Sequence, residues 1–357
     1  MKKSAWLPAV IAPVVVAGAI AAPTLASAAN DPIAGTNPTA ADVIASVAKS
    51  SDAQYSGKLS QTSDLGLPEL PAGSGGSSLE GDASDALSLL TSSHTARVYV
   101  DGATKQRVQV TQQLAEQDLV RNGSDVWTWD SKAREATHVT LPDHVKESFQ
   151  DGTMTPADLA KQAIAAIRPS TTISKPTTTS VAGHDAWQLV LTPKSADTLV
   201  GSVELAVDKQ TGLPLRAAIQ ADGQSEPAVQ VGFTSLDYGA PAARLFDFTP
   251  PSGAEVTTKD LSDAADHAGS HRGAHGTGTD DAPTLTGSGW STIAELPAGT
   301  ADQGSLGADA QGLLGQLTRS VDGGRAIQTS LVSVYLTDDG RVLAGAVPVS
   351  SLVAAAK

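Results

Sequence analysis

Between Thr95 and Tyr238 the chain repeats one pattern, short segments in which apolar and polar residues alternate, and no other feature constrains the fold as strongly. Val98/Val100, Val108/Val110, Trp187/Leu189/Leu191, Val203/Leu205/Val207, Leu213/Leu215/Ala217/Ile219 and Val229/Val231/Phe233 each fit it. Successive side chains of a strand point to opposite faces, so every segment offers one apolar face. Gly102 and Asn122-Gly123 sit where tight turns join consecutive segments, which makes the neighbours antiparallel. An antiparallel sheet with one apolar side must be covered by a second layer.

Two amphipathic helices are available as cover. Thr39 is placed to cap the first, Ala40 to about Ser50, with Asp42 in the capping-box position and Val43, Ile44 and Val47 as its apolar stripe. Thr155-Pro156-Ala157-Asp158 opens the second, whose stripe is Leu159, Ala163, Ile164 and Ile167, and Arg168-Pro169 stops it. Two short helices cannot cover so wide a sheet, so the sheet either curls on itself or leaves a cavity. The segment "DVWTWDS" places Trp127 and Trp129 on one face of a strand, and these rings are expected to line such an apolar concavity.

The two ends of the chain carry different signals. Lys2 and Lys3 precede an almost wholly apolar run from Leu7 to Leu25, which closes on Ala26-Ser27-Ala28, small residues of the kind a signal peptidase reads. Residues 1–28 are therefore expected to be a signal peptide, and the mature protein to be exported to the cell envelope or beyond it. The chain has no cysteine, which excludes disulfides, thiolate metal sites, cysteine nucleophiles and a lipid-modified cysteine anchor. A net charge of −14 disfavours nucleic acid and anionic membrane surfaces as partners. A monomer is expected.

Residues 65–94, rich in Gly, Ser and Pro, interrupt the strand pattern as an insertion loop, either a solvated excursion or a lid over a cavity. Residues 29–258 hold the main domain, since every aromatic except Trp6, Trp290 and Tyr335 lies between Tyr55 and Phe248. Residues 259–284 read as a disordered linker rich in His, Gly and Asp. Its His267, His271 and His275 are spaced four apart and are weak candidates for zinc or copper, because the interleaved glycines oppose the helix that would align them. Residues 285–357 form a small α+β unit with a helix expected over Leu306–Ser320, a hairpin turning at Asp338-Asp339-Gly340, and a terminal helix.

No G-x-S-x-G, H-E-x-x-H, Walker or EF-hand motif is present, and no cofactor or enzymatic activity is expected. Asn122-Gly123-Ser124 matches a glycosylation acceptor, but its place in a hairpin explains it better. The order of "LAEQDLVRNGSDVWTWDSKAREATH", "VELAVDKQTGLPLRAAIQ" and "RLFDFTPPSGAEV" resembles the LolA/LolB and RseB/MucB superfamily of lipoprotein-carrier-like proteins. The resemblance implies the fold class α+β, an open antiparallel β half-barrel lidded by helices. Trp290 with Leu296-Pro297-Ala298-Gly299, and Ser333-Val334-Tyr335, are similar to the small C-terminal domain of the RseB/MucB branch, which binds a membrane anti-sigma factor.

The function this implies is a non-enzymatic binding protein holding lipid or lipoprotein acyl chains in an apolar cavity, or alternatively an envelope-stress regulator bound to a membrane protein. The candidate cavity residues are Val43, Ile44 and Val47, then Leu159, Ile164 and Ile167, with Trp127, Trp129, Trp187, Leu189, Val203, Leu205, Val231 and Phe233 from the sheet. The same residues could instead fill a closed core.

Overall fold

A computed structural model describes residues 37–66, 93–112, 115–141, 161, 164–260, 283–298 and 318–357. The expected signal peptide, most of the 65–94 insertion, Leu159, nearly all of the linker with His267, His271 and His275, and most of the Leu306–Ser320 helix lie outside the described residues.

Helix α1 (Ala40–Lys49) starts as its sequence requires: Thr39 and Asp42 close a reciprocal capping box. The large sheet follows, with β1 (Gln54–Ser63), β2 (His94–Asp101), β3 (Lys105–Gln112), β4 (Ala115–Asn122), β5 (Asp125–Asp130), β6 (Glu135–Thr140) and β7 (Thr171–Ile173). It continues through β8 (Thr177–Val181), β9 (His184–Pro193), β10 (Val200–Asp208), β11 (Pro214–Ala221), β12 (Pro227–Tyr238) and β13 (Glu255–Asp260). Between β6 and β7 residues 164–167 are helical.

Among the described residues this sheet has 13 strands in the order β13-β6-β5-β4-β3-β2-β1-β12-β11-β10-β9-β7, with β8 also on β9. Its ends do not pair with each other, so it is open, and every pairing is antiparallel except β13 with β6. The chain thus has the α+β, strand-rich, open-sheet architecture expected of it. No helix of the described residues is long and apolar enough to cross a membrane.

The second sheet contains β14 (Thr284–Thr286), β15 (Ile293–Leu296), β16 (Arg319–Val321), β17 (Gly324–Gln328), β18 (Ser333–Thr337) and β19 (Val342–Gly345), and helix α2 (Val349–Ala355) packs on it. Arg319 and Ser320, expected at the end of a helix, are in β16, where they pair with Ala326 and Arg325. Strand pairing overrides local helix propensity there.

The two sheets share a core. Leu331, on the loop between β17 and β18, is 4% exposed among Val200, Ile219, Ala221 and Ala228 of the large sheet. Thr329 shapes that loop by accepting hydrogen bonds from the backbone N–H groups of Leu331 and Val332. Around it Leu199 N–H donates to Ala346 O (2.8 Å), Ser330 N–H to Leu65 O (2.9 Å) and Trp290 Nε1–H to Thr171 Oγ1 (2.8 Å).

Candidate apolar binding face

The motif Asp208-Lys209-Gln210-Thr211-Gly212 turns between β10 and β11 and holds α1 to the sheet. Asp208 is buried, and its Oδ1 accepts from the N–H groups of Gln210 and Thr211 and from the Thr211 hydroxyl. Gly212 has φ +73°, and a Cβ there would lie 2.2 Å from Ser46 O of α1. Only glycine combines that backbone angle with that approach. The helix then seats Val43, fully buried, among Trp187, Leu189 and Val207, with Ile44, Val47 and Leu205 around them. Each such aliphatic burial contributes about 1.5–3 kcal/mol. Lys209 Nζ covers the other side of Trp187, 4.5 Å from the ring centroid.

The register sorts the sheet's side chains into two faces. Tyr55 pairs with Val100, Gly57 with Val98, Val98 with Val108, and Val108 with Leu119, so these lie on one face. The same face continues to Thr128 and, one pair along, to Val126 and Val139. On the other side of β1 it runs from Leu59 to Phe233 and from Gln61 to Val231, Ala217, Leu205 and Leu189. At its centre Tyr55, Val98, Val100, Phe233 and Leu236 are buried together. Gly57 makes room for this packing, since a Cβ there would fall 2.7 Å from Phe233 Cε1. Burial pushes the Tyr55 hydroxyl up to about 12.

Toward β4 and β5 the face opens. Leu119 is 41% exposed, while Val108, Val110, Val126 and Val139 are half-buried. This is an apolar strip continuous with the buried centre.

Trp127 and Trp129 are on the opposite face. Trp127 pairs with Val120 and His138, Trp129 with Asp118 and Ala136, and the row continues into Arg107 and Gln109. The expectation that the two indoles wall the same concavity as the valine rows is therefore corrected. Leu119 and Val120 are adjacent on β4, so each face of that strand carries an apolar residue, and the tryptophans take the side away from Val98 and Val108. Trp127 is covered from two sides: Phe248, on a strap after β12 whose Phe246 is buried, lies 5.5 Å from it at 45°, and His138 of β6 stacks on it at 4.3 Å and 10°. Arg107 Nη2 donates to Asp118 Oδ2 (2.6 Å), and its Nη1 donates to Leu245 O of the strap (3.3 Å).

The remaining candidates are divided among several clusters. Val43, Ile44, Val47, Trp187, Leu189 and Leu205 pack together, Val203 joins the cluster containing Leu331, and Phe233 that containing Tyr55. Val231 is half-buried on the apolar face. Ile164 is buried, and Ile167 is half-buried in the helical turn. Sequence reasoning passed over Leu119, Val126 and Val139; only their register with Val108 and Val98 places them on this face. The arrangement offers apolar contact, with no group of three or more His, Cys, Asp or Glu suited to a metal ion among the described residues.

Residues 89–261 match the family model described as the MucB/RseB N-terminal domain. No curated protein matches the chain. Among solved structures it is similar to MucB in complex with MucA(peri), at 15% identity over 87% of this chain and 95% of that one, with a TM-score of 0.43. It is also similar to the MucA/MucB complex of Pseudomonas aeruginosa, at 16% identity over 87% and 95%, with a TM-score of 0.44. A LolA superfamily protein from Nitrosomonas europaea shares 12% identity over 59% of this chain and 98% of its own, with a TM-score of 0.24.

Proposed function

We propose, for a chain that carries a LolA/RseB-like domain with its family match over residues 89–261, that it is an exported, non-enzymatic binding protein taking lipid or lipoprotein acyl chains on the open apolar face of its large sheet. One observation carries the reading: the face is buried at Tyr55, Val98, Val100 and Phe233 yet continues into the exposed Leu119 with half-buried valines on either side. A hydrocarbon chain laid along it gains about 0.8 kcal/mol per buried methylene, on the order of 10 kcal/mol for sixteen carbons before the costs of binding. Recognition of this kind needs no catalytic group.

Native mass spectrometry of protein purified from its source tests the reading, with displacement of a fluorescent fatty acid as the second arm. Bound hydrocarbon in the wild type and its loss in Leu119→Glu are the expected results. A ligand-free mass together with no displacement in either protein would sink the proposal.

A second reading is favoured by the MucB/RseB family match and by the way the second unit is fastened to the first: a regulator that binds an envelope membrane protein. A photo-crosslinker replacing Leu285, which is 67% exposed on β14, would join such a partner to the second unit. Acyl-chain binding without any crosslinked membrane protein would favour the carrier over the regulator.

A further inference from the structure

A depression of about 510 Å³ lies between α1 and the helical turn at 164–167. Ala41, Ile164, Ala165 and Pro169 make its floor, and Lys161, Arg168 and Lys194 stand around it. Ala41 lies about 60° around the helix axis from Ile44, so this flank of α1 is beside the stripe that packs on Trp187 and Leu189. None of the lining residues belongs to the apolar strip around Leu119, so the depression is separate from the acyl-chain site, and its occupancy does not depend on that reading.

Its charge runs against that of the chain. Among the described residues three cations and no carboxylate line it, in a protein of net charge −14. Asp42 is the acid near Lys161: its Oδ2 accepts from the Thr39 hydroxyl (2.7 Å) and from Thr39 N–H (2.8 Å), bonds that hold the carboxyl below its usual range, and its charge offsets part of that of Lys161. Lys194 Nζ donates to Arg168 O (2.7 Å), which fixes the ammonium at the edge and leaves its remaining N–H groups for a ligand. The depression is open to solvent, and it sets cationic and apolar side chains side by side.

We propose that this depression holds the head group of one anionic phospholipid, the phosphate among Lys161, Arg168 and Lys194 and the first methylenes on Ile164, Ala165 and Pro169. A soluble phosphate would use the cations and leave the apolar floor bare, whereas an amphiphile uses both. At about 1 kcal/mol per charge, the roughly two net charges left beside Asp42 give about a thirtyfold preference for an anionic over a zwitterionic lipid. The site would bring a protein that is otherwise repelled by acidic membranes to them in one orientation.

Flotation of the full-length chain with vesicles tests this, using phosphatidylcholine with and without phosphatidylglycerol at low salt. Wild-type protein is expected to float only with the phosphatidylglycerol vesicles. The variant Lys161→Gln/Arg168→Gln/Lys194→Gln should bind them at least tenfold more weakly, with unchanged circular dichroism and melting, while Lys161→Arg/Arg168→Lys/Lys194→Arg should retain binding. Leu119→Glu should float normally, so that loss of the acyl-chain site and loss of this one read out separately. Equal flotation with both vesicle types, flotation with neither, retention by the glutamine variant, or full displacement by inorganic phosphate would each overturn the proposal.

Discussion

Trp127 and His138 face each other across β5 and β6 with ring centroids 4.3 Å apart and planes 10° from parallel. Phe248, arriving from the strap, tilts over the same indole at 5.5 Å. Removing Phe248 strips one side of Trp127 without touching the strand pairing. Phe248→Ala is therefore expected to cost about 2–3 kcal/mol and to shift the tryptophan emission to longer wavelength. Unchanged emission would show that the strap does not shield Trp127 in solution.

The close approach of Gly212 to Ser46 predicts a larger penalty from a smaller change. Gly212→Ala must accommodate a methyl group 2.2 Å from a helix carbonyl, in a backbone conformation alanine resists. A loss of about 3 kcal/mol or more is expected in urea unfolding, with α1 lifting from Trp187. Exposed Gly223, also at positive φ but with open space about it, is the control and should cost about 1 kcal/mol when changed to alanine.

Alkali should act through Tyr55. Its hydroxyl ionises near 12 in the folded protein against 10 when free, because burial disfavours the phenolate. A raised folded value gives stability that is complete below pH 10 and is lost as pH rises toward 12, here about 2–3 kcal/mol. Tyr238, paired with Tyr55 across β1 and β12, is shifted in the same direction, chiefly by burial. Tyr55→Phe should flatten the upper part of the stability-versus-pH curve measured by denaturant titration. An identical alkaline limb in wild type and variant would rule this assignment out.

Leu331 predicts how the two units behave together. Leu331→Ala empties a buried position among Val200, Ile219 and Ala228, at an expected cost of about 2–4 kcal/mol. If the units are one cooperative body, calorimetry will show a single transition in the wild type and two in the variant. Two transitions in the wild type would mean that the shared core does not couple them.

Much of the architecture was written in local pattern. The capping box at Thr39 and Asp42, the strand alternation and the Asn122-Gly123 turn each depend on residues near one another in the chain, and each formed where expected. The face occupied by Trp127 and Trp129 was not legible in that way. Alternation tells which residues of a strand point together, and register decides which side of the sheet they share with others. On β3 the row matching the tryptophans is Arg107 and Gln109, and the one matching Leu119 is Val108 and Val110. A signal did exist, in the closely spaced Phe246 and Phe248, an aromatic pair that needs cover of its own.

The bond from Ser330 N–H to Leu65 O joins the C-terminal unit to the end of β1, a strand flanked on both sides by β2 and β12. Tension applied through that unit therefore reaches the middle strands of the large sheet, through this bond and the core around Leu331, as well as its edge at β13, and is spread over several strands. A tether at this end of the molecule could carry mechanical load without prising the apolar face apart.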